Sequence, residues 1–196
     1  MPSEGRVEHP SVDARIIRTR HDVLRTALQV AIEQGWEAVT HPTIAAQAGY
    51  SRATLYNHWP TRADLLRDAF LRLGDIPHPV PTGEVRADLI AELISFRDAM
   101  RDRQLDRALA VLIDLSVSDP VMQEVRDRVV ADGEHAVRAL LKPIAGRQRV
   151  DVASLMLCGV LVQTALLHGR EPKNREIAEA VDTVLAGLRG NSAAHR

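Results

Sequence analysis

Apolar residues recur along nearly the whole chain at three- and four-residue intervals, and alternating apolar and polar runs bounded by turn residues do not occur. That period belongs to amphipathic helices and predicts an all-α protein of about nine helices. After a polar leader over residues 1–14, Ile16, Val23, Leu24, Ala27, Leu28, Ala31 and Ile32 share one helix face, and Gly35 stands where a helix end favours a left-handed residue. A short second helix opens around residues 40–43, with Pro42 in its first turn, where a missing N–H costs little, and stops at Gly49. Ser51 is placed to cap a third helix over 52–58, Pro60 ends it, and Thr61 caps a fourth that runs to about Leu73.

Residues 74–83 break the pattern. Pro77, Pro79 and Pro81 stand at alternate positions, remove backbone donors and push their predecessors towards extended geometry. A domain boundary is expected here, between a unit over 15–73 and a second over 84–189. Five further helical segments follow, of which the third has a strong start in Asp119 as cap and Pro120 at the first helical position.

Composition narrows the function classes. The chain has 196 residues, 45% apolar and 26% charged, enough for aliphatic cores and far from the composition of disordered chains. Lys and Arg number 25 against 26 Asp and Glu, so a globally basic nucleic-acid coat is excluded while a local basic patch is not. The one cysteine, Cys158, excludes an internal disulfide framework and a cysteine-rich zinc site, and fits a reducing cytoplasm. Residues 1–20 are polar and carry Arg6, Arg15, Arg18 and Arg20, unlike a signal peptide. The longest apolar run, 152–167, is interrupted by Ser154, Gly159, Gln163 and Thr164 and is shorter than the roughly 18 to 20 residues of a membrane span.

Residues 40–66 carry the most specific signal. Two short helices joined by a Gly-containing turn define a helix-turn-helix, whose second helix can enter a DNA major groove. Ile44 and Leu55 are placed to pack the two helices together. Arg52 and Tyr56 are four apart, as are Ala53 and Asn57, so both pairs share the side opposite Leu55. A guanidinium, a small residue, a phenol and an amide on one side suit base and phosphate reading better than packing. Thr61 and Arg62 bring a helix N-terminus and a positive side chain to the same edge, an arrangement that grips phosphate.

These residues resemble the N-terminal signature of the TetR/AcrR family of transcriptional regulators. The matching positions are Ile44-Ala45, Ala48-Gly49-Tyr50-Ser51, Thr54-Leu55-Tyr56, His58-Trp59 and Thr61-Arg62-Ala63-Asp64-Leu65-Leu66. By motif the resemblance covers about residues 15–73, and beyond them only helix number and length. Tyr50 stands where an aliphatic residue is commoner, Arg62 replaces a commoner Lys, and the acid comes one position late at Asp64.

The resemblance implies a three-helix helix-turn-helix DNA-binding domain, then a C-terminal helical bundle for ligand binding and dimerisation. It further implies a cytoplasmic homodimer on a palindromic operator of double-stranded DNA, a small-molecule effector that releases it, and no enzymatic activity, cofactor or membrane partner. Carried over by position, Thr43, Arg52, Thr54, Tyr56, His58 and Arg62 become phosphate or base contacts, and helix geometry adds Ala53 and Asn57. Arg52 is the candidate for bidentate guanine contact, while Tyr56 and His58 suit the backbone. Phe96, Met100, Leu112 and Met156 are candidate effector-pocket residues, and the scarcity of aromatics favours an aliphatic effector. Ala153, Gly159, Ala165, Val181, Val184 and Leu188, on the last two segments, are candidates for a dimer interface built as an intermolecular four-helix bundle.

An alternative within the same class is an architectural, nucleoid-associated DNA-binding protein with no effector. Other chemistry finds little footing. His21, His41, His135 and His168 lack metal-ligand spacing, so no metal site is expected. Asp114, Ser116 and His135 lack the strand-to-helix elbow of a hydrolase. Cys158, flanked by Leu157 and Gly159, reads as a buried small hydrophobe rather than a redox sensor.

Overall fold

The structure is a computed structural model that describes residues 12–190. Residues 1–11 of the expected leader lie outside the described residues, and the first helix already begins at Val12. Among the described residues there are nine α-helices and no strand: α1 (Val12–Gln34), α2 (His41–Ala48), α3 (Arg52–His58), α4 (Arg62–Leu71), α5 (Val85–Asp102), α6 (Leu105–Ser116), α7 (Pro120–Leu141), α8 (Arg147–His168) and α9 (Asn174–Gly190). Short 3-10 turns at Trp36–Ala38 and Arg72–Gly74 were not legible from hydrophobic spacing. The chain divides into two compact units, the first ending at Ala69 and the second beginning at Phe70, a division that falls inside α4.

In the first unit α1 turns Val23, Leu24, Ala27, Val30 and Ala31 inward, the three- and four-residue spacing that one helix face requires. Against them pack the Trp36–Ala38 turn and α2, and α3 packs on α2. Ile44, Leu55 and Trp59 are at most 1% exposed. Each such side chain contributes roughly 1.5 to 3 kcal/mol of transfer free energy, so two helices of fewer than ten residues hold their geometry by packing rather than by propensity.

In the second unit α5 packs on α9, α6 on α7, α7 on α8 and α8 on α9. Asp119 caps α7 as its position suggested, its carboxylate accepting the N–H of Val121 at 2.8 Å beside Pro120. The proline-rich stretch is held along α5: Ser95 donates to the Pro77 carbonyl at 2.8 Å and His78 meets Glu92 at 2.8 Å. The Asp88 carboxylate accepts the Thr82 hydroxyl at 2.7 Å and the N–H groups of Thr82 and Gly83 at 2.9 Å. These bonds, led by the Thr82 N–H, hold the Asp88 carboxyl below its ordinary pKa.

The expectation for the apolar run at 152–167 needs correction. The helix built on it, α8, has 22 residues and is long and apolar enough, by length and composition, to cross a membrane. Arg147, Arg149 and Asp151 in its opening turns and His168 at its end carry the helix beyond the apolar run. It also packs on α5, α6, α7 and α9, burying Val150, Ala153, Leu157, Cys158 and Leu161 in the bundle.

Candidate nucleic-acid interface

The helix pair is shaped by local chemistry. Extended Thr40 precedes α2, and its hydroxyl accepts the Thr43 N–H at 3.3 Å and meets the Thr43 hydroxyl at 2.9 Å. Gly49 ends α2 at φ 77°, ψ 28°, where only residues without a Cβ penalty sit comfortably. The N–H groups of Gly49 and Tyr50 close on the Ala45 carbonyl at 3.1 and 3.0 Å, and the chain reverses. Ser51 then caps α3 by accepting the Thr54 N–H at 3.1 Å. With Leu55 and Trp59 fully inward, the period of 3.6 turns Arg52, Ala53, Tyr56 and Asn57 to solvent. Thr43, Thr54 and His58 are half-buried beside this face.

Arg52 makes no hydrogen bond or ion pair among the described residues, which leaves its five N–H donors available to a ligand. Tyr56 is braced. Its ring stacks on His41 with centroids 4.1 Å apart and planes 10° from parallel. His41 is held in turn by a 2.7 Å bond to the Trp59 carbonyl, and because a carbonyl only accepts, Nε2 carries the proton. The phenol therefore leaves the surface on a fixed ring. His41 escaped the sequence reading because its stacking partner lies fifteen residues away in the chain.

Arg62 is tethered within the unit. Its Nε donates to the Val39 carbonyl at 2.8 Å, a terminal nitrogen donates to the Trp36 carbonyl, and the guanidinium lies 4.8 Å from the centroid of the Trp36 ring. These two carbonyl bonds hold the guanidinium in place beside the Trp36–Ala38 turn and leave three of its five N–H donors outside them. The start of α4 is likewise self-satisfied. Thr61 gives its hydroxyl to Asp64 at 2.7 Å and its N–H at 3.2 Å, while Asp64 returns its N–H to Thr61 at 3.1 Å, a reciprocal capping box. The Thr61 hydroxyl bond is the main reason the Asp64 carboxyl lies below its ordinary pKa.

Two further tethers escaped the sequence reading. Asp68 accepts the Trp59 indole N–H at 3.0 Å and an Arg20 N–H at 2.9 Å, and the Arg20 guanidinium lies 5.2 Å from the Trp59 ring centroid. Tyr50 donates its hydroxyl to Asp22 on α1 at 3.0 Å, the chief cause of that carboxyl's lowered pKa. The aromatic that departs from the family pattern thus ties the turn to α1.

In the second unit the four candidate pocket residues do not form one site. Phe96 lines an apolar cavity of about 90 Å³ with Leu105, Leu109, Val129 and Cys158, while Met100 lines a separate cleft with Leu161 and Ala165. Leu112 is fully buried, and Met156 is 51% exposed. Burial pushes the Cys158 thiol up to about 12, consistent with a packed hydrophobe.

The candidate dimer residues also divide. Ala153, Val181 and Val184 are buried within the unit, and Gly159, Ala165 and Leu188 are half-buried. Successive helix residues point about 100° apart, so an apolar run without clear periodicity does not reveal which side the bundle consumes. The side of α8 left to solvent carries Val152, Leu155, Met156 and Leu167, and a Cβ at Gly159 would meet nothing.

The family model described as bacterial regulatory proteins of the tetR family matches residues 23–69. A helix-turn-helix-type transcriptional regulator of Mycobacterium tuberculosis is 28% identical over 174 residues, covering 84% of each chain. A DNA-binding transcriptional repressor TetR of Mycobacteroides abscessus is 29% identical over 144 residues, covering 63% of this chain and 75% of its own. In fold, the solved structure of the flavonoid-responsive regulator FrrA aligns with a TM-score of 0.68 at 18% identity, over 87% of this chain and 95% of that one. Helix-turn-helix, outward polar face and these relatives agree: residues 23–69 form a DNA-binding domain of the tetR family, and the chain is a DNA-binding transcriptional regulator.

Proposed function

We propose that the protein is a cytoplasmic repressor that binds a palindromic operator as a homodimer and is released by a small-molecule effector. One observation carries the DNA-facing half of this reading: α3 exposes Arg52, Ala53, Tyr56 and Asn57 while Leu55 and Trp59 anchor its other side. The exposed donors suit base edges and phosphates, and the anchored side keeps the helix rigid as it enters a groove. Thr43, Thr54 and His58 flank that face and fit register-setting backbone contacts. The exposed apolar side of α8 supports association with a second copy, which would set two α3 helices about 34 Å apart for successive major grooves. The cavity and cleft of the second unit support an effector, as does the flavonoid-responsive regulator among the similar structures, and the repressor among the relatives supports repression. An effector that binds best to a dimer of altered half-site spacing shifts the population away from DNA.

The test is a fluorescence-anisotropy titration of wild type and Arg52→Ala on the DNA upstream of the protein's own gene, across a salt series. Wild-type affinity is expected to fall steeply with salt as phosphate contacts release counterions. Arg52→Ala is expected to bind about tenfold or more weakly and to discriminate less between operator and scrambled DNA. Equal, sequence-blind binding by both proteins would refute the reading.

A further inference from the structure

The second unit holds a cleft that hydrophobic patterning did not mark. It has a volume of about 520 Å³ and lies among the C-terminal end of α5, the start of α6 and the C-terminal end of α8 with the loop beyond it. Such a volume suits a small molecule. Its floor is aliphatic: Met100 and Leu161 are 4% and 1% exposed, with Ala165 beside them. Its rim is cationic, with Arg97, Arg101, Arg107 and Arg170 against the carboxylates of Asp106 and Glu171. No aromatic side chain lines it.

The four arginines are not equivalent. Arg97 is only 14% exposed and fully engaged: Nε and one terminal nitrogen hold Asp98 at 3.0 and 2.9 Å, and the other holds Asn174 and the Pro172 carbonyl. Arg170 is locked in a bidentate pair with Glu176, both bonds 2.8 Å. Arg101 keeps Asp102 at 2.9 Å but reaches Glu171 and Asp98 only at 3.4 Å, so part of its fork is weakly held. Arg107 is exposed and has no partner among the described residues. Between Arg101 and Arg107 lies Gln104, whose φ of 51° is the one positive value outside glycine among the described residues. Strained backbone of this kind concentrates at ligand sites.

We propose that this cleft binds an amphipathic anion, a carboxylate or phosphate head on an aliphatic tail, with the head between Arg101 and Arg107 and the tail over Met100 and Leu161. A guanidinium fork matches a planar carboxylate or a phosphate in two parallel hydrogen bonds. The two paired arginines hold the rim in shape, and the aliphatic floor without an aromatic platform favours alkyl over planar aromatic ligands. The proposal names the effector class and rests on the effector-responsive reading above.

The experiment is isothermal titration of the full-length protein with octanoate, octyl phosphate, octanol and octylamine. At least one anion is expected to bind with one site per chain, at least tenfold more tightly than octanol or octylamine, and the tighter anion identifies the head group. Arg107→Gln, which removes a side chain with no internal partner, is expected to weaken that anion at least fivefold, whereas Arg175→Gln, 88% exposed on α9, leaves it unchanged. Octanol binding as tightly as the anions, indifference to Arg107→Gln, or no anion binding at millimolar concentration would overturn the proposal. The bound anion is then added to the operator complex. Binding without release keeps the anion site and removes the effector-release reading; release by another compound, with no anion bound, does the reverse.

Discussion

The turn between α2 and α3 depends on Gly49, and its substitution isolates one term of the energetics. At φ 77°, ψ 28° the backbone is in the left-handed region, where an L residue with a Cβ pays about 1 to 2 kcal/mol. A Cβ built at Gly49 meets no atom within 4 Å, so no steric clash adds to that cost. Gly49→Ala is therefore expected to destabilise the first unit by about 1 to 2 kcal/mol, and Gly49→Asn by distinctly less, because asparagine tolerates this region. Trp36 and Trp59 are the chain's two tryptophans and both lie in the first unit, so tryptophan fluorescence reports on that unit alone. For an m-value of about 1 to 2 kcal/mol/M in urea, the Gly49→Ala midpoint falls by about 1 M with the slope unchanged. An alanine variant as stable as wild type, a loss beyond about 3 kcal/mol, or an asparagine variant as damaged as the alanine one would refute the assignment of the cost to backbone conformation.

Arg62→Lys is expected to lower the urea midpoint of the same tryptophan transition, because an ammonium does not reproduce the guanidinium's two carbonyl bonds and its contact with Trp36; the loss should be about 2 kcal/mol, the scale of a hydrogen bond to a charged group. The Asp88 carboxyl, depressed by donors from Thr82 and Gly83, contributes stability that is fully present above its ordinary value of 3.8 and is lost as the pH falls through the lower folded value. Asp88→Asn should therefore flatten the acid limb of the second unit's unfolding curve, measured by circular dichroism, and speed thermolysin cleavage within residues 74–83 at neutral pH. With its thiol near 12, Cys158 has about one part in ten thousand as thiolate at pH 8, so a disulfide reagent should label it only after urea is added; prompt labelling of the native protein would contradict its burial.

Much of the first unit is readable from a linear string because its determinants are local. The Thr40 and Ser51 caps, Pro42 in the first turn of α2, Gly49 at the turn, and the four-residue spacing of Arg52 with Tyr56 and of Ala53 with Asn57 each act within a few residues. They specify which side of α3 faces out before any tertiary contact is known. The same locality leaves Arg62 half read: its position at the start of a helix suggests a phosphate grip, and only the fold brings the Trp36 and Val39 carbonyls, 26 and 23 residues away, to its guanidinium. The braces on the reading helix are non-local in the same way, His41 under Tyr56, Asp68 on Trp59 and Asp22 on Tyr50.

The second unit shows the opposite balance. Its helices, the Asp119-Pro120 start and the proline-rich break follow from period and cap chemistry, which are properties of the chain alone. Which side of α8 is consumed by the bundle does not, since α8 is apolar nearly all round and its neighbours decide that Ala153 goes in while Leu155 stays out. Nor does the grouping of Arg101 and Arg107 over Met100 and Leu161, because a cleft is a relation among segments up to some 60 residues apart, formed only when α5, α6 and α8 meet. Sequence alone determined the helices, their caps and the outward chemistry of α3; tertiary packing decided which charges remain free and which apolar surfaces remain uncovered.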